Sequence, residues 1–414
     1  MVVLFHIKWR LLLCTVLLIP FILATLNCGL QSNDTVLSQD AQSPEPDSTS
    51  NEALSEMIKI GEVTVGGDIG DLAPEFTGIT NWINSPPLTL KELRGNVVLI
   101  DIWTYTCVNC IRTIPYIKEW YSRYEDHGLV IIGIHAPEFE FEKLPDNVER
   151  AMVDLGISWP VAQDNDMKTW NSYNNMYWPA KYVLDKNGVV KYRHFGEGAY
   201  AETENVIRNL LEDYGVNKTV YDDPLAVDQK VHLSFRQSAL PKVTPELYFG
   251  RRRNSGILLS GGIPYIVQKE YYLDYEKSVV LTMPDVLSSD KIYLNGEWEI
   301  GEENVTHSRT VSGSADFVAI KYSAKTVNVV MSSSTPARQK IYVTVDGDWL
   351  TENNKGNDVV IESTGESYIW IDEPQMYSVV NQEKYEKEML LKLATDSLGS
   401  EFYAFTFGVY DEGP

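Results

Sequence analysis

Apolar and polar positions fall into distinct regimes along the chain. From Leu11 to Leu26 the residues are apolar apart from Cys14, Thr15, Pro20 and Thr25, and Lys8 and Arg10 come just before them. A basic start followed by an apolar run predicts an export signal or membrane anchor over residues 1–28. Residues 29–57 are rich in Ser, Asp, Gln, Asn, Pro and Thr. Such a composition buries too little apolar surface to offset the entropy of ordering, and it predicts a disordered tether.

Over residues 58–216 buried-strand runs alternate with helical patterns. The run 97–103 is a continuous apolar strand broken by Asp101, and a helical stretch to about Tyr124 follows Cys107. Strands are predicted at 129–135, 159–162, 181–184 and 189–193, and helices at 143–155, 167–174 and 202–214. Asp185-Lys186-Asn187-Gly188 between two of those strands favours a tight hairpin. Such alternation predicts an α/β sheet covered by helices on both faces. After a linker at 217–239, residues 240–414 shift toward Tyr, Val, Thr and Ser, with strands predicted at 291–294, 317–322, 327–331, 340–345, 367–371, 387–393 and 402–409. Short strands separated by turns such as Asn295-Gly296 and Asp346-Gly347 predict an antiparallel sandwich.

Composition narrows the function. The 414 residues carry 58 acidic against 35 basic side chains, a formal charge of −23, which repels phosphate backbones and sets the chain against nucleic acid as a partner. Of four cysteines, Cys14 and Cys28 belong to the N-terminal apolar segment, so only Cys107 and Cys110 belong to the folded body. A secreted scaffold stapled by disulfides needs more than one pair. Cys28 follows Ala24-Thr25-Leu26-Asn27, which resembles a bacterial lipobox but has Asn27 where a small residue is usual. Lipidation at Cys28, an uncleaved anchor and ordinary secretion all remain open.

The chemistry gathers in Trp103-Thr104-Tyr105-Thr106-Cys107-Val108-Asn109-Cys110, at the end of a strand and the start of a helix. Amide dipoles at a helix N-terminus stabilise a thiolate, which makes Cys107 the expected nucleophile. Cys110, one turn on, is placed to resolve a mixed disulfide. C-x-x-C is also half of many zinc sites, but the chain has no second pair and its six histidines are scattered away from the motif. No metal or bound cofactor is expected, and the Cys107-Cys110 disulfide itself is the expected redox group.

Three further positions resemble thioredoxin-fold proteins. Asp101, on the strand before Cys107, matches a buried carboxylate that shuttles the proton of the second thiol; the alternative is a strand-end aspartate facing solvent. Pro115 matches the proline within the active-site helix, a structural position. Trp178-Pro179 matches the loop whose proline is cis and lies against the cysteines; with Trp103 these two are the implied substrate-binding residues, the alternative being an ordinary trans proline.

A narrower resemblance is to the TlpA-like and redoxin group, and within it to DipZ-type proteins, carried by W-T-Y-T-C-V-N-C-I-R-T-I-P-Y at 103–116 and G-L-V-I-I-G-I-H-A-P-E-F-E-F-E at 128–142. The segments T-P-E-L-Y-F-G at 244–250 and Y-A-F-T-F-G at 403–408 are similar to the C-terminal domain of the same proteins, described as carbohydrate-binding-module-like. The resemblance implies an α/β thioredoxin fold followed by an all-β jelly-roll-like sandwich, and a thiol-disulfide oxidoreductase acting on exported proteins, apocytochrome c among the candidates. It implies a separate membrane electron donor, since a multi-helix relay domain is usual in the family and this sequence shows at most one apolar segment. Trp298, Trp349 and Trp370 are the candidates for stacking on a glycan. Arg112 is expected in a surface ion pair, and Glu138 and the following 139–142 stretch at the border of the active-site groove. Thr104, three residues before Cys107, also fits the motif of thiol peroxidases, but Ile100 stands where that motif has proline.

Overall fold

The computed structural model describes residues 64–213, 242–273, 278–311 and 316–409. The predicted signal or anchor with Cys28, the tether and the 217–239 linker lie outside the described residues. The folded part is built from an α/β domain followed by an all-β domain.

Seven consecutive buried residues form β2 (Val97–Trp103), the centre of a six-stranded sheet. Around it lie β1 (Asn81–Ile83), β3 (Leu129–His135), β4 (Val161–Gln163), β5 (Ala180–Leu184) and β6 (Val190–Phe195), in the order β1-β4-β3-β2-β5-β6. β2 runs parallel to β3 and antiparallel to β5, which in turn pairs antiparallel with β6. The helices are α1 (Val108–Tyr124), α2 (Pro145–Leu155), α3 (Lys168–Ser172) and α4 (Tyr200–Glu212). Because successive strand residues point to opposite faces, Val97, Leu99 and Trp103 enter one core cluster while Val98, Ile100 and Ile102 enter another. Asp101 therefore sits on the same face as Trp103 and Cys110.

The hairpin at 185–188 forms as expected: one Asp185 carboxylate oxygen accepts from the amides of Asn187 and Val189, and Gly188 takes φ 72°. Helix α2 starts two residues later than its apolar pattern predicts, because Pro145 occupies the first helical position, where its missing N–H costs nothing. The short β1, paired with β4, had no clear signal in the sequence.

The second domain comprises β7 (Leu247–Tyr248), α5 (Arg251–Leu259), β8 (Val279–Leu281), β9 (Ile292–Ile300), β10 (Val305–His307), β11 (Asp316–Ser333), β12 (Gln339–Val345), β13 (Asp348–Trp349), β14 (Val360–Ile361), β15 (Ser367–Ile371), β16 (Gln375–Thr395) and β17 (Ser400–Gly408). The strands make one continuous 11-stranded sheet. Strand β11 pairs with β9 near its start and with β17 over its second half, while β10 bridges β17 and β9, so the sheet closes on itself around a single apolar core.

Two of the expected strands, 317–322 and 327–331, are one strand. Register shifts between Tyr322 and Asn328 let the pairing of β11 with β16 run through the intervening polar residues. Asp346-Gly347 is a turn, with both residues at positive φ between β12 and β13. Asn295-Gly296 is not: it lies inside β9, where Gly296 has φ 107° and a Cβ there would fall 2.2 Å from the Asp316 carboxyl carbon. That glycine answers a close approach, not a chain reversal.

Candidate functional site: a dithiol at a strand-helix junction

Strand β2 delivers the chain to α1 through Thr104-Tyr105-Thr106, and Cys107 is the residue that caps the helix. Its backbone is extended, with φ −81° and ψ 114°, and its carbonyl accepts from the Ile111 amide at 3.0 Å. No acidic residue occupies the first turn of α1, so the amide dipoles at the Cys107 end are not offset by a neighbouring carboxylate. Cys107 is half-buried, Cys110 is buried with 1% of its surface exposed, and both are free thiols. Burial pushes the Cys110 thiol up, and a hydrogen bond with Cys107 and the charge on it push further; a hydrogen bond with the Thr104 main chain acts the other way. One sulfur is thus accessible and its neighbour is a protonated reserve behind it.

Beneath the pair is Asp101, 3% exposed, one of whose oxygens, Oδ1, has no hydrogen-bond partner. Burial raises its carboxyl to about 7, with Lys181 pulling it down. The solvent-facing alternative for Asp101 is thereby ruled out. Lys181 lies directly across the β2–β5 ladder from Asp101 and is fully buried. The signal for this lysine in the sequence is a single charged residue inside the otherwise apolar Ala-Lys-Tyr-Val-Leu strand.

The Trp178-Pro179 peptide is cis. Pro179 is buried, and its carbonyl accepts from the Gly196 amide at 2.7 Å. Trp178 is half-buried against Trp170, with ring centroids 4.3 Å apart, and donates from Nε1 to the Ala136 carbonyl at 3.0 Å. Trp103 is only 1% exposed and packs edge-on against His135 in the core, so it offers no surface to a substrate, contrary to what the resemblance implied. Met176 and Tyr177, beside the proline loop, are exposed apolar side chains available for contact. Pro115 lies within α1 on its exposed face.

Arg112 corrects another expectation. It is not on the surface: it is 7% exposed, with Glu197 at 3.7 Å, and a Cβ on Gly408 of the second domain would lie 2.5 Å from its guanidinium. Strand β17 covers this part of α1. Glu138 is also at the domain junction, accepting from Tyr248 Oη at 3.0 Å and Arg253 at 2.7 Å. Burial raises its carboxyl to about 7, while Arg253 opposes the rise. Phe139 and Phe141 meet Tyr403 edge-on at 5.2 and 4.9 Å. The second domain therefore packs against the 138–142 segment beside the dithiol. Of the three candidate tryptophans, Trp298 is fully buried and unavailable to any ligand, Trp370 is half-buried under Arg338, and Trp349 is 37% exposed.

Comparison with known proteins agrees with this anatomy. The family model described as AhpC/TSA family matches residues 69–193, and that described as thioredoxin like C-terminal domain matches 244–408. Protein DipZ of Mycobacterium bovis is 39% identical over 267 residues, 63% of this chain; the chain spans about a third of that relative, 35% of its length. Thiol-disulfide oxidoreductase ResA of Bacillus thuringiensis is 28% identical over 34% of this chain and 78% of that protein. Thiol-disulfide oxidoreductase YkuV of Bacillus subtilis is 32% identical over 34% of this chain and 94% of that protein. With a buried carboxylate under a dithiol at the start of its central helix, the chain belongs to the thioredoxin-like thiol-disulfide oxidoreductases, in the TlpA-like and redoxin group with DipZ.

Proposed function

We propose that the protein works outside the cytoplasm, held by its N-terminal segment, and reduces or isomerises disulfides of exported proteins, apocytochrome c being one candidate substrate. The carrying observation is the asymmetric pair: half-buried Cys107 in front, buried Cys110 behind, and Asp101 with its raised carboxyl underneath. In the forward direction the Cys107 thiolate attacks one sulfur of a substrate disulfide. That S–S bond breaks, a mixed disulfide forms, and the first substrate sulfur leaves as a thiolate that takes up a proton. Cys110 then gives its proton to Asp101 and attacks the Cys107 sulfur, releasing the second substrate thiolate. Two electrons have passed to the substrate, and the protein is left with a Cys107-Cys110 disulfide that a dithiol on a separate membrane donor must reduce. Release of the mixed disulfide back to a different substrate cysteine gives isomerisation instead.

Trapping tests this reading. Cys110→Ser removes the resolving thiol, so a mixed disulfide between Cys107 and a substrate protein accumulates and is seen as a reducible band on non-reducing gels. Cys107→Ser abolishes both that band and disulfide reduction; retained reduction in Cys107→Ser would sink the proposal. Peroxidase chemistry is disfavoured because the Thr104 hydroxyl, which it would need beside the cysteine, is given to Glu142 at 2.6 Å.

A second reading concerns the β domain. Trp349, Tyr342 and Phe317 with Lys392 line a hollow of about 150 Å³ on the outer face of the sheet, which suits stacking of one sugar ring. Binding of cell-wall glycan fragments that is lost in Trp349→Ala supports it, and equal binding by that variant would discard it.

A further inference from the structure

A buried carboxylate on the far side of the dithiol loop is used by none of the steps above. Glu142 has no exposed surface, yet both of its oxygens are fully engaged. Oε1 accepts from the Thr104 hydroxyl at 2.6 Å, from the Thr106 hydroxyl at 2.6 Å and from the Thr106 amide at 3.3 Å. Oε2 accepts from the amides of Glu138 at 2.6 Å and Phe139 at 3.0 Å. Burial raises the Glu142 carboxyl, and the five donors, which favour its charged form, oppose that rise. Three of the five come from the two threonines that lead into Cys107. Between the threonines Tyr105 stacks on buried His135, ring centroids 5.7 Å apart, so the turn is held from two sides.

We propose that Glu142 is a positioning residue for the dithiol: by clamping Thr104 and Thr106 it holds the turn that delivers the chain into Cys107 at the head of α1. The proposal rests on the dithiol reading given above. Its effect reaches the thiols through that turn, so loss of the clamp loosens the placement of Cys107 at the helix N-terminus, where the amide dipoles favour the thiolate of the reduced form.

The test is read on the cysteines themselves and needs no knowledge of the substrate. In the full chain, the rate of Cys107 alkylation by iodoacetamide at pH 7 and the equilibrium of the Cys107-Cys110 pair with glutathione are measured for Glu142→Gln, Thr104→Val and Thr104→Ser. Thr104→Val removes one bond without altering charge and is expected to slow alkylation at least threefold and to shift the equilibrium at least threefold toward the disulfide. Glu142→Gln is expected to change the same two readouts, and its combination with Thr104→Val to do no more than either alone, since the two act through one contact. Thr104→Ser keeps the hydroxyl and is expected to stay within twofold of the parent. Alkylation and equilibrium within 1.5-fold of the parent in Thr104→Val, whatever happens to thermal stability, overturn the proposal; that variant decides the matter even where Glu142→Gln does not fold. A parent protein whose Cys107 is not alkylated faster than Cys110 would instead overturn the dithiol reading.

Discussion

Each domain buries an aspartate, and the two are treated in opposite ways. In the β domain Asp316 is 1% exposed and sits between His307 Nε2 at 2.9 Å and Arg309, whose Nε and Nη2 both approach to 2.7 Å. Burial works against its charge, but Arg309 and His307 win and hold the carboxyl down at about 2. In the α/β domain Asp101 is equally hidden, lacks a partner at Oδ1, and burial wins over Lys181 to raise it to about 7. A carboxylate that only has to hold a fold is given donors until its charge is settled. One left underpaired has its two protonation states close in energy, as the proton exchange with Cys110 proposed for Asp101 requires.

Substitutions at the two sites should break in opposite directions. Asp316→Ala leaves Arg309 and buried His307 without their acceptor, and is expected to cost the largest amount, about 3 kcal/mol of unfolding free energy. Chemical denaturation measures it, and the alkylation rate of Cys107 in the folded protein should not change. A loss below about 1 kcal/mol would mean that the cluster is not the structural anchor described.

Asp101→Asn should stabilise. The folded protein holds the Asp101 proton to a higher pH than the unfolded chain does, so this group lowers stability as pH rises from the ordinary carboxylate range to about 7. The neutral amide escapes that loss, and its advantage over the parent is expected to be about 2 kcal/mol larger at pH 8 than at pH 5. Disulfide exchange should fall about a hundredfold with loss of the proton acceptor. A pH-independent advantage, or unchanged exchange, would put Asp101 in the same class as Asp316.

The smallest effect is expected at the junction. Arg253→Met removes the cation beside Glu138, whose carboxyl already stands at about 7 through burial. Without Arg253 it rises further, so the variant should lose stability relative to the parent as pH increases from 5.5 to 8, by about 1 kcal/mol at the upper end. An equal difference at both pH values would show that Glu138 does not titrate in the interface.

Much of the fold is legible in the sequence. The apolar run at 97–103, the strand-to-helix junction at Cys107 and the hairpin at Asp185-Lys186-Asn187-Gly188 are local patterns, and local geometry follows from them. The β domain was legible as to class but not as to pairing. Strands 317–322 and 327–331 read as two because the residues between them break the alternation, whereas pairing with β16 carries one strand through a bulge. Trp298 and Trp349 look alike in the sequence; one is fully buried and the other 37% exposed, because strand periodicity tells which residues share a face and not which face is covered.

The dithiol, its place at the head of a helix, the carboxylate on the preceding strand and the two fold classes follow from local patterns of residues within each segment. Their surroundings come from the three-dimensional packing. Lys181 reaches Asp101 through antiparallel pairing of β5 with β2, Glu142 reaches Thr104 and Thr106 from a later turn, and Arg112 is buried because β17 of the second domain closes over it. The balance between burial and charge that sets each group depends on long-range neighbours, and no local pattern records who those neighbours are.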